Sequence, residues 1–321
     1  MAAAPPVGID ALRSAAQVLE GVAVRTPLVE VPGLSERLGW PVLLKCEQLQ
    51  PIGAFKIRGA YNAISRVAAQ GRVTGVVTQS SGNHGQAVAF AARAFGLRAV
   101  IVMPGSAPRI KVEGIRRHGG EVVFAGATRS AEQLQRAEEI AARDGLEMVP
   151  PFEHPDVVAG QGTCGLEILD QRPDVDTILV PVGGGGLIAG ISVAVRALRP
   201  STHLIGVEPA GAAKLGAALA AGEPTMLDST GSVADGLLPR SVGRLTFSIL
   251  RQVVREAVQV SDDEIRGAVR FLYREANLSV EPSGAVGVAA LLAGRVRAQG
   301  PAVIVVSGGN VDPDILAGLV R

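Results

Sequence analysis

The sequence predicts an α/β fold in which parallel sheets are flanked by helices and the chain forms two intimate lobes. Three observations predict it. Short β-branched runs alternate with Ala-rich amphipathic runs along the chain. The strand runs are apolar nearly throughout, as in sheets covered on both faces. No low-complexity linker divides the 321 residues.

Strands are expected at Val42–Cys46, Val73–Thr78, Ala99–Met103, Glu121–Phe124, Thr177–Val182, Leu204–Val207 and Ala302–Val306. Helices are expected between them at Phe55–Ala69, His84–Phe95, Arg109–His118, Arg129–Arg143, Asp156–Asp170 and Leu187–Leu198. Ser261-Asp-Asp-Glu264 is a capping box opening a helix to about Glu275, and Pro282 suits the first turn of another through Leu292. Gly96 and Gly145 stand where helices should end. The smaller lobe is expected to comprise residues 75–151, and the larger 1–74 plus 152–321.

Composition excludes several functions. With 31 Lys+Arg against 30 Asp+Glu the net charge is +1, so nothing electrostatic favours nucleic acid or a membrane surface. Aromatics are 3%, too few for base stacking. Cys46 and Cys164 cannot build a disulfide framework, and no Cys/His spacing resembles a zinc site. Thr177 to Val195 is uncharged and long enough to span a bilayer, but Pro181 and Gly183 to Gly186 interrupt it; strand, glycine loop and helix fit better. Met1–Asp10 has neither a basic segment nor an apolar core, so no secretory signal is read. A cytoplasmic protein is expected.

Open parallel sheets bind ligands at the carboxyl ends of their strands. Three segments there carry chemistry. Lys56 follows Phe55 in Pro51-Ile-Gly-Ala-Phe-Lys56, opening an Ala-rich helix. Partial desolvation and the positive helix end favour the free amine needed for Schiff-base chemistry, although a lone lysine is ordinarily a surface residue. Gln79-Ser80-Ser81-Gly82-Asn83-His84 joins a strand to a helix, where successive amides form an anion site. An N-cap explains one Ser or Asn, but hardly the group. Val182-Gly183-Gly184-Gly185-Gly186-Leu187 lets backbone approach a phosphate closely, yet matches neither the P-loop nor the dinucleotide fingerprint. Ser307, ending the last strand, offers a cap or a neutral hydroxyl to a ring nitrogen.

An amine nucleophile, a carboxylate-binding turn, a phosphate cradle and a neutral hydroxyl together suit pyridoxal phosphate and an amino acid. The chain resembles the fold type II pyridoxal-phosphate enzymes, in the branch of serine/threonine dehydratases and serine racemases. The likeness runs from Thr26-Pro-Leu and Lys45-Cys-Glu47 through Ala159-Gly-Gln-Gly-Thr163 and Val280-Glu-Pro-Ser-Gly284 to the final Ser-Gly-Gly-Asn. It implies a two-lobed, tryptophan synthase β-like fold and a homodimer. It also implies that Lys56, next to Phe55, is the Schiff-base lysine and that Asn83 meets the phenolic oxygen. By the same likeness Gly183, Gly184, Gly185, Gly186 and Leu187 hold the phosphate, and Ser307 meets the pyridine nitrogen. Ser80, Ser81, Gly82, Asn83 and His84 would hold the substrate carboxylate, with Ser81 aligned to the second acid/base of the racemases. Glu281 and Asp235 are expected near the cofactor without an assigned role.

The implied reaction is α,β-elimination from L-threonine or L-serine, giving a 2-keto acid and ammonia. A neutral Ser307 leaves the pyridine a weaker electron sink, which favours elimination over transamination. Racemisation is the alternative, as is a bulkier substrate such as phenylserine or hydroxyaspartate; a ligand-sensing protein on the same fold is the alternative from another class. Pro151-Phe152 favours dehydratases, since racemases tend to a polar residue there. The divalent-cation glutamate of relatives aligns as Glu208, but Lys214 stands where an acidic ligand is expected, so an ammonium in place of a metal is predicted. His84 is expected to serve packing more than proton transfer, and His118, His154 and His203 are scattered.

Overall fold

The computed structural model describes residues 7–80, 82–128 and 131–321. The first part of the chain runs α1 (Ile9–Val18), β1 (Leu28–Glu30), α2 (Pro32–Leu38), β2 (Val42–Cys46) and α3 (Lys56–Gln70). A βα series follows: β3 (Gly75–Gln79), α4 (Asn83–Ala94), β4 (Arg98–Met103), α5 (Arg109–Arg117), β5 (Glu121–Phe124), α6 (Ala131–Asp144) and β6 (Glu147–Met148). Next come α7 (Pro155–Gln171), β7 (Thr177–Pro181), α8 (Gly186–Leu198), β8 (His203–Pro209), α9 (Lys214–Ala221) and α10 (Arg244–Val253). The chain closes with β9 (Glu256–Val260), α11 (Asp262–Glu275), α12 (Pro282–Leu292), β10 (Ala302–Val306) and α13 (Pro313–Val320).

Two sheets result. Six strands lie in the order β1-β2-β10-β7-β8-β9, and four in the order β5-β4-β3-β6. Among the described residues every strand pairing is parallel except β1 with β2. The apolar strand runs are explained by burial on both faces. Ile178, Val180, Val303 and Val305 pack with α1, α7, α8 and α10, while their neighbours Leu179, Ile304 and Val306 pack with α11 and α12. Each such side chain contributes about 1.5–3 kcal/mol relative to exposure. The second sheet places Val76, Ile101 and Met103 against α4, and Val77, Val100 and Val102 against α6. Helix α3 joins that core through Ile57, Ala60 and Ile64.

Most expected elements form where the pattern placed them, and the capping box at Ser261 is complete. The uncharged stretch from Thr177 is β7, the glycine loop and α8, and no described helix is long and apolar enough to cross a membrane. Three strands lie outside the expectation. β1 and β6 are only three and two residues long, and β9 is an edge strand whose alternating Glu256-Ala-Val-Gln-Val covers one face. None of the three has the continuous apolar run of a doubly covered strand. Helices α1, α2, α9, α10 and α13 were likewise not anticipated; α10 contains no alanine, so the Ala-rich signature misses it. Arg129 and Ser130, at the expected start of α6, lie outside the described residues.

Helix contacts explain part of the Ala159-Gly-Gln-Gly-Thr163 motif. A side chain at Gly160 would overlap the Arg58 carbonyl of α3, and Gly162 and Gly190 bring α7 and α8 into backbone contact, where a Cβ on Gly190 would lie 2.6 Å from the Val158 carbonyl oxygen. The glycines thus let α7 wedge between α3 and α8, so α7 sets where Lys56 and the glycine loop stand relative to each other.

Candidate active site

Lys56 occupies the first position of α3, half-buried, and what fixes it is a buried ion network two residues on. Arg58, 1% exposed, donates Nε and Nη2 to Glu47 at 2.7 and 2.8 Å, and Nη1 and Nη2 to Glu167 at 2.7 and 2.9 Å. Lys45 Nζ reaches Glu167 at 2.6 Å and the Thr26 carbonyl at 2.8 Å, while Thr26 Oγ1 donates to Glu47 at 2.6 Å. Two cations and two carboxylates balance, as a buried cluster requires. Burial opposes ionisation of Glu47, but Arg58 overcomes it and holds the carboxyl below its ordinary value. The motifs Thr26-Pro-Leu and Lys45-Cys-Glu47 therefore act by anchoring the start of α3.

Loop contacts bring the other segments to Lys56. Lys56 Nζ donates to the Pro151 carbonyl at 2.8 Å and lies 5.1 Å from the Phe55 ring centroid. The next residue, Phe152, places its ring where a side chain on Gly184 would be, linking Lys56 to the glycine loop. The Phe55 amide donates to the Ser307 carbonyl at 3.1 Å, and Ala54 bridges Gly308, which draws the end of β10 to the same place. Asn310 Nδ2 donates to the Ile52 carbonyl at 2.9 Å and to Asn83 Oδ1 at 3.0 Å. Lys56, Asn83, Ser307 and the glycine loop thus converge at the carboxyl ends of β2, β3, β7 and β10.

Within the turn before α4, Ser80 Oγ accepts the amides of Gly82 at 3.1 Å and Gly85 at 3.0 Å, leaving its own proton to donate outward. Gly82 is buried. Asn83 Nδ2 donates to Glu281 Oε1 at 2.5 Å. His84 is 2% exposed; its Nε2 donates to the Val149 carbonyl at 2.9 Å, and its Nδ1 has no partner among the described residues. Burial, then the nearby Lys56 charge, pushes the imidazole down to about 3, so it is neutral and suits packing rather than proton transfer. Ser81 lies outside the described residues.

The residues present fit the cofactor that the resemblance implies. The amides of Gly183, Gly184, Gly185, Gly186 and Leu187 donate to nothing among the described residues, at the N-terminus of α8. Side chains there would fill the cradle: a Cβ on Gly183 would lie 3.2 Å from the Gly236 carbonyl, and Gly185 has φ +93°. Ser307 is 4% exposed, and its hydroxyl makes no hydrogen bond among the described residues. Five idle amides and one idle hydroxyl match a phosphate and a ring nitrogen.

Four residues at this site carry no role assigned from their local sequence. Glu281 and Asn310 orient Asn83; Lys111, 3% exposed, meets Asp235 Oδ2 at 2.7 Å and Glu281 Oε2 at 3.2 Å. Glu281 sits in a motif that was legible, but Lys111 stands among three arginines of α5 and nothing local distinguishes it.

Known proteins bear on this geometry. The chain is 41% identical over 316 residues to an L-threonine ammonia-lyase of Thermotoga maritima, covering 98% of this chain and 78% of the relative. It is 41% identical over 309 residues to an L-threo-3-hydroxyaspartate ammonia-lyase of a Pseudomonas species, covering 96% of each. Maize serine racemase superposes with a TM-score of 0.93 at 37% identity, over 98% of this chain and 96% of that one. Residues 19–308 match the family described as pyridoxal-phosphate dependent enzyme, and with relatives this similar along nearly its whole length the chain belongs to that family.

Proposed function

We propose that the protein is an L-threonine/L-serine ammonia-lyase that converts a β-hydroxy amino acid to a 2-keto acid and ammonia. The observation that carries this is the convergence of the Lys56 amine with the idle amides of Gly183–Leu187 and the idle hydroxyl of Ser307. The similarity to an L-threonine ammonia-lyase supports the substrate class. When bound, pyridoxal phosphate supplies the electron sink that makes the substrate Cα–H acidic. Lys56 Nζ holds the cofactor and takes the Cα proton; the glycine loop and α8 bind phosphate, Asn83 the phenolic oxygen, Ser307 the ring nitrogen. The turn opening α4 binds the substrate carboxylate through the amides of Asn83 and His84, since those of Ser80 and Gly82 already donate to the Val102 carbonyl and to Ser80 Oγ. The cleavage into residues 75–151 and the remainder, placing this turn and the glycine loop in different lobes, belongs to the same reading.

Racemisation and a diacid substrate are the rivals that the relatives raise. Phe152 presents an apolar ring beside Gly184, and Lys111, which packs on Gly82, is committed to Asp235 and Glu281. Neither offers a second carboxylate a free cation. Incubation with L-threonine, L-serine, hydroxyaspartate and phenylserine, assaying keto acid and D-amino acid separately, should give mainly keto acid from the first two. D-amino acid as the main product would overturn the reading, as would a colourless protein that lacks a borohydride-sensitive visible band.

Three further results are expected. Gly184→Ala should weaken cofactor binding about tenfold by fluorescence titration, because the added methyl overlaps Phe152. Lys214 and Glu208 are fully buried and paired at 3.3 Å, with Lys214 Nζ also donating to the Ala212 and Leu237 carbonyls at 2.6 and 3.0 Å. An ammonium already fills that oxygen cage, so chelator should leave keto-acid formation unchanged; loss restored by magnesium or calcium would refute this. The two cysteines, buried and unpaired, suit a reducing cytoplasm. A homodimer is part of the same reading, supported by exposed Val24 and Leu49 flanking Gln50, which binds the Val24 backbone; light scattering should return twice 32.9 kDa.

A further inference from the structure

Lys111 is among the most buried cations of the chain, and its partners come from other elements. It rises from α5, beside the four-stranded sheet. Its stem passes directly over Gly82, where any side chain would overlap Lys111 Cδ. Its Nζ then meets Asp235, in the turn whose Gly236 carbonyl abuts Gly183, and Glu281, which immediately precedes α12 behind the six-stranded sheet. One side chain therefore touches the carboxylate-binding turn, the wall of the glycine loop and the support of Asn83.

The charges explain why the arrangement holds. Glu281 is 2% exposed and packed so closely on Gly308 that a Cβ there would overlap Oε1. Its Oε1 accepts from Asn83; its Oε2 faces Lys111 without a well-directed hydrogen bond. Burial pushes the Glu281 carboxyl up, Lys111 opposes that rise, and Asp235 adds to it. Removing the ammonium would leave a buried carboxylate facing a second one, and the outcome is protonation of Glu281. A protonated Glu281 is a poorer acceptor for Asn83 Nδ2.

We propose that Lys111 is a positioning residue of the site: it holds the Glu281–Asn83 pair in place and latches α5 to the Asp235 turn and to α12, across the space between the two sheets. This rests on the reading of Lys56 and Asn83 as cofactor-facing groups. It assigns Lys111 no contact with substrate.

The test uses cofactor-loaded enzyme and compares wild type with Lys111→Met, Lys111→Arg, Glu281→Gln and the Met/Gln double variant. Methionine keeps the stem over Gly82 and deletes only the charge. Displacement of Asn83 by about an ångström predicts a loss in kcat of about 100-fold, with a smaller change in KM. The cofactor's visible absorption band should shift and change its pH dependence. Arginine should recover at least tenfold of the loss, and the double variant should be no worse than Lys111→Met, since both act through one carboxylate. A kcat for Lys111→Met within tenfold of wild type, an unmoved band, or losses that multiply in the double variant would overturn the latch. If Lys111→Met does not fold, Lys111→Gln and Asp235→Asn decide: a moved band in either supports the proposal, and wild-type spectra in both refute it. A wild type that binds no cofactor would instead refute the functional reading, which keeps the two failures distinct.

Discussion

Lys56→Ala is expected to lower keto-acid formation by roughly 10⁴-fold or more, because in the proposed function one substitution removes both the covalent anchor of the cofactor and the base for the Cα proton. The fold should survive. Alanine is the best helix former, position 56 is the first of α3, and the anchoring network belongs to Arg58, Glu47, Glu167 and Lys45. The thermal midpoint should therefore stay within a few degrees of wild type. The borohydride-sensitive band should vanish, and borohydride-treated protein should show no added cofactor mass. Activity within tenfold of wild type would place the chemistry elsewhere.

Arg58→Ala is expected to act in the opposite way, on stability first. The substitution leaves Glu47, which is fully buried, without its bidentate partner. Breaking a buried pair from one side costs about 3–5 kcal/mol, a large part of the 5–15 kcal/mol typical of a folded domain. Urea unfolding should show that loss directly. The pH dependence carries the sign. In the wild type Arg58 holds the Glu47 carboxyl below its ordinary value, so the pair's stabilisation is present above the ordinary carboxyl range and fades as acid titrates Glu47. In Arg58→Ala burial prevails and the carboxyl rises above its unfolded value, so the variant's penalty appears as pH increases through the acid range. The gap in midpoint between the two proteins should thus be widest near neutrality and narrow toward pH 5. A gap independent of pH would mean that lost packing, not the orphaned carboxylate, dominates.

Much of this architecture was legible locally. β2, β5, β10 and α12 fall on the residues that their patterns marked; β10, covered on both faces, is apolar and buried at every position, and a proline suits the first turn of α12. The site was legible where chemistry needs an unusual local composition. Four consecutive glycines, or Ser-Ser-Gly-Asn between strand and helix, are hard to explain without a ligand. Lys111 shows the other case: it is one basic residue in a helix with Arg109, Arg116 and Arg117, and only the fold buries it while leaving Arg116 and Arg117 exposed. Thr26, Lys45 and Glu47 were visible as family signature residues, yet their joint purpose emerges only when Arg58 and, more than 100 residues on, Glu167 close the network.

By itself the sequence determined the fold class, the amine at position 56, the glycine loop before α8 and the turn before α4, since each depends on residue types and spacings within a few neighbours. Tertiary structure decided which of those groups face one another, which carboxylates stay charged, and why Gly82 and Gly308 must lack side chains. Ionisation and close packing depend on what lies within a few ångströms in space, and β2, β3, β7 and β10 bring together residues far apart along the chain.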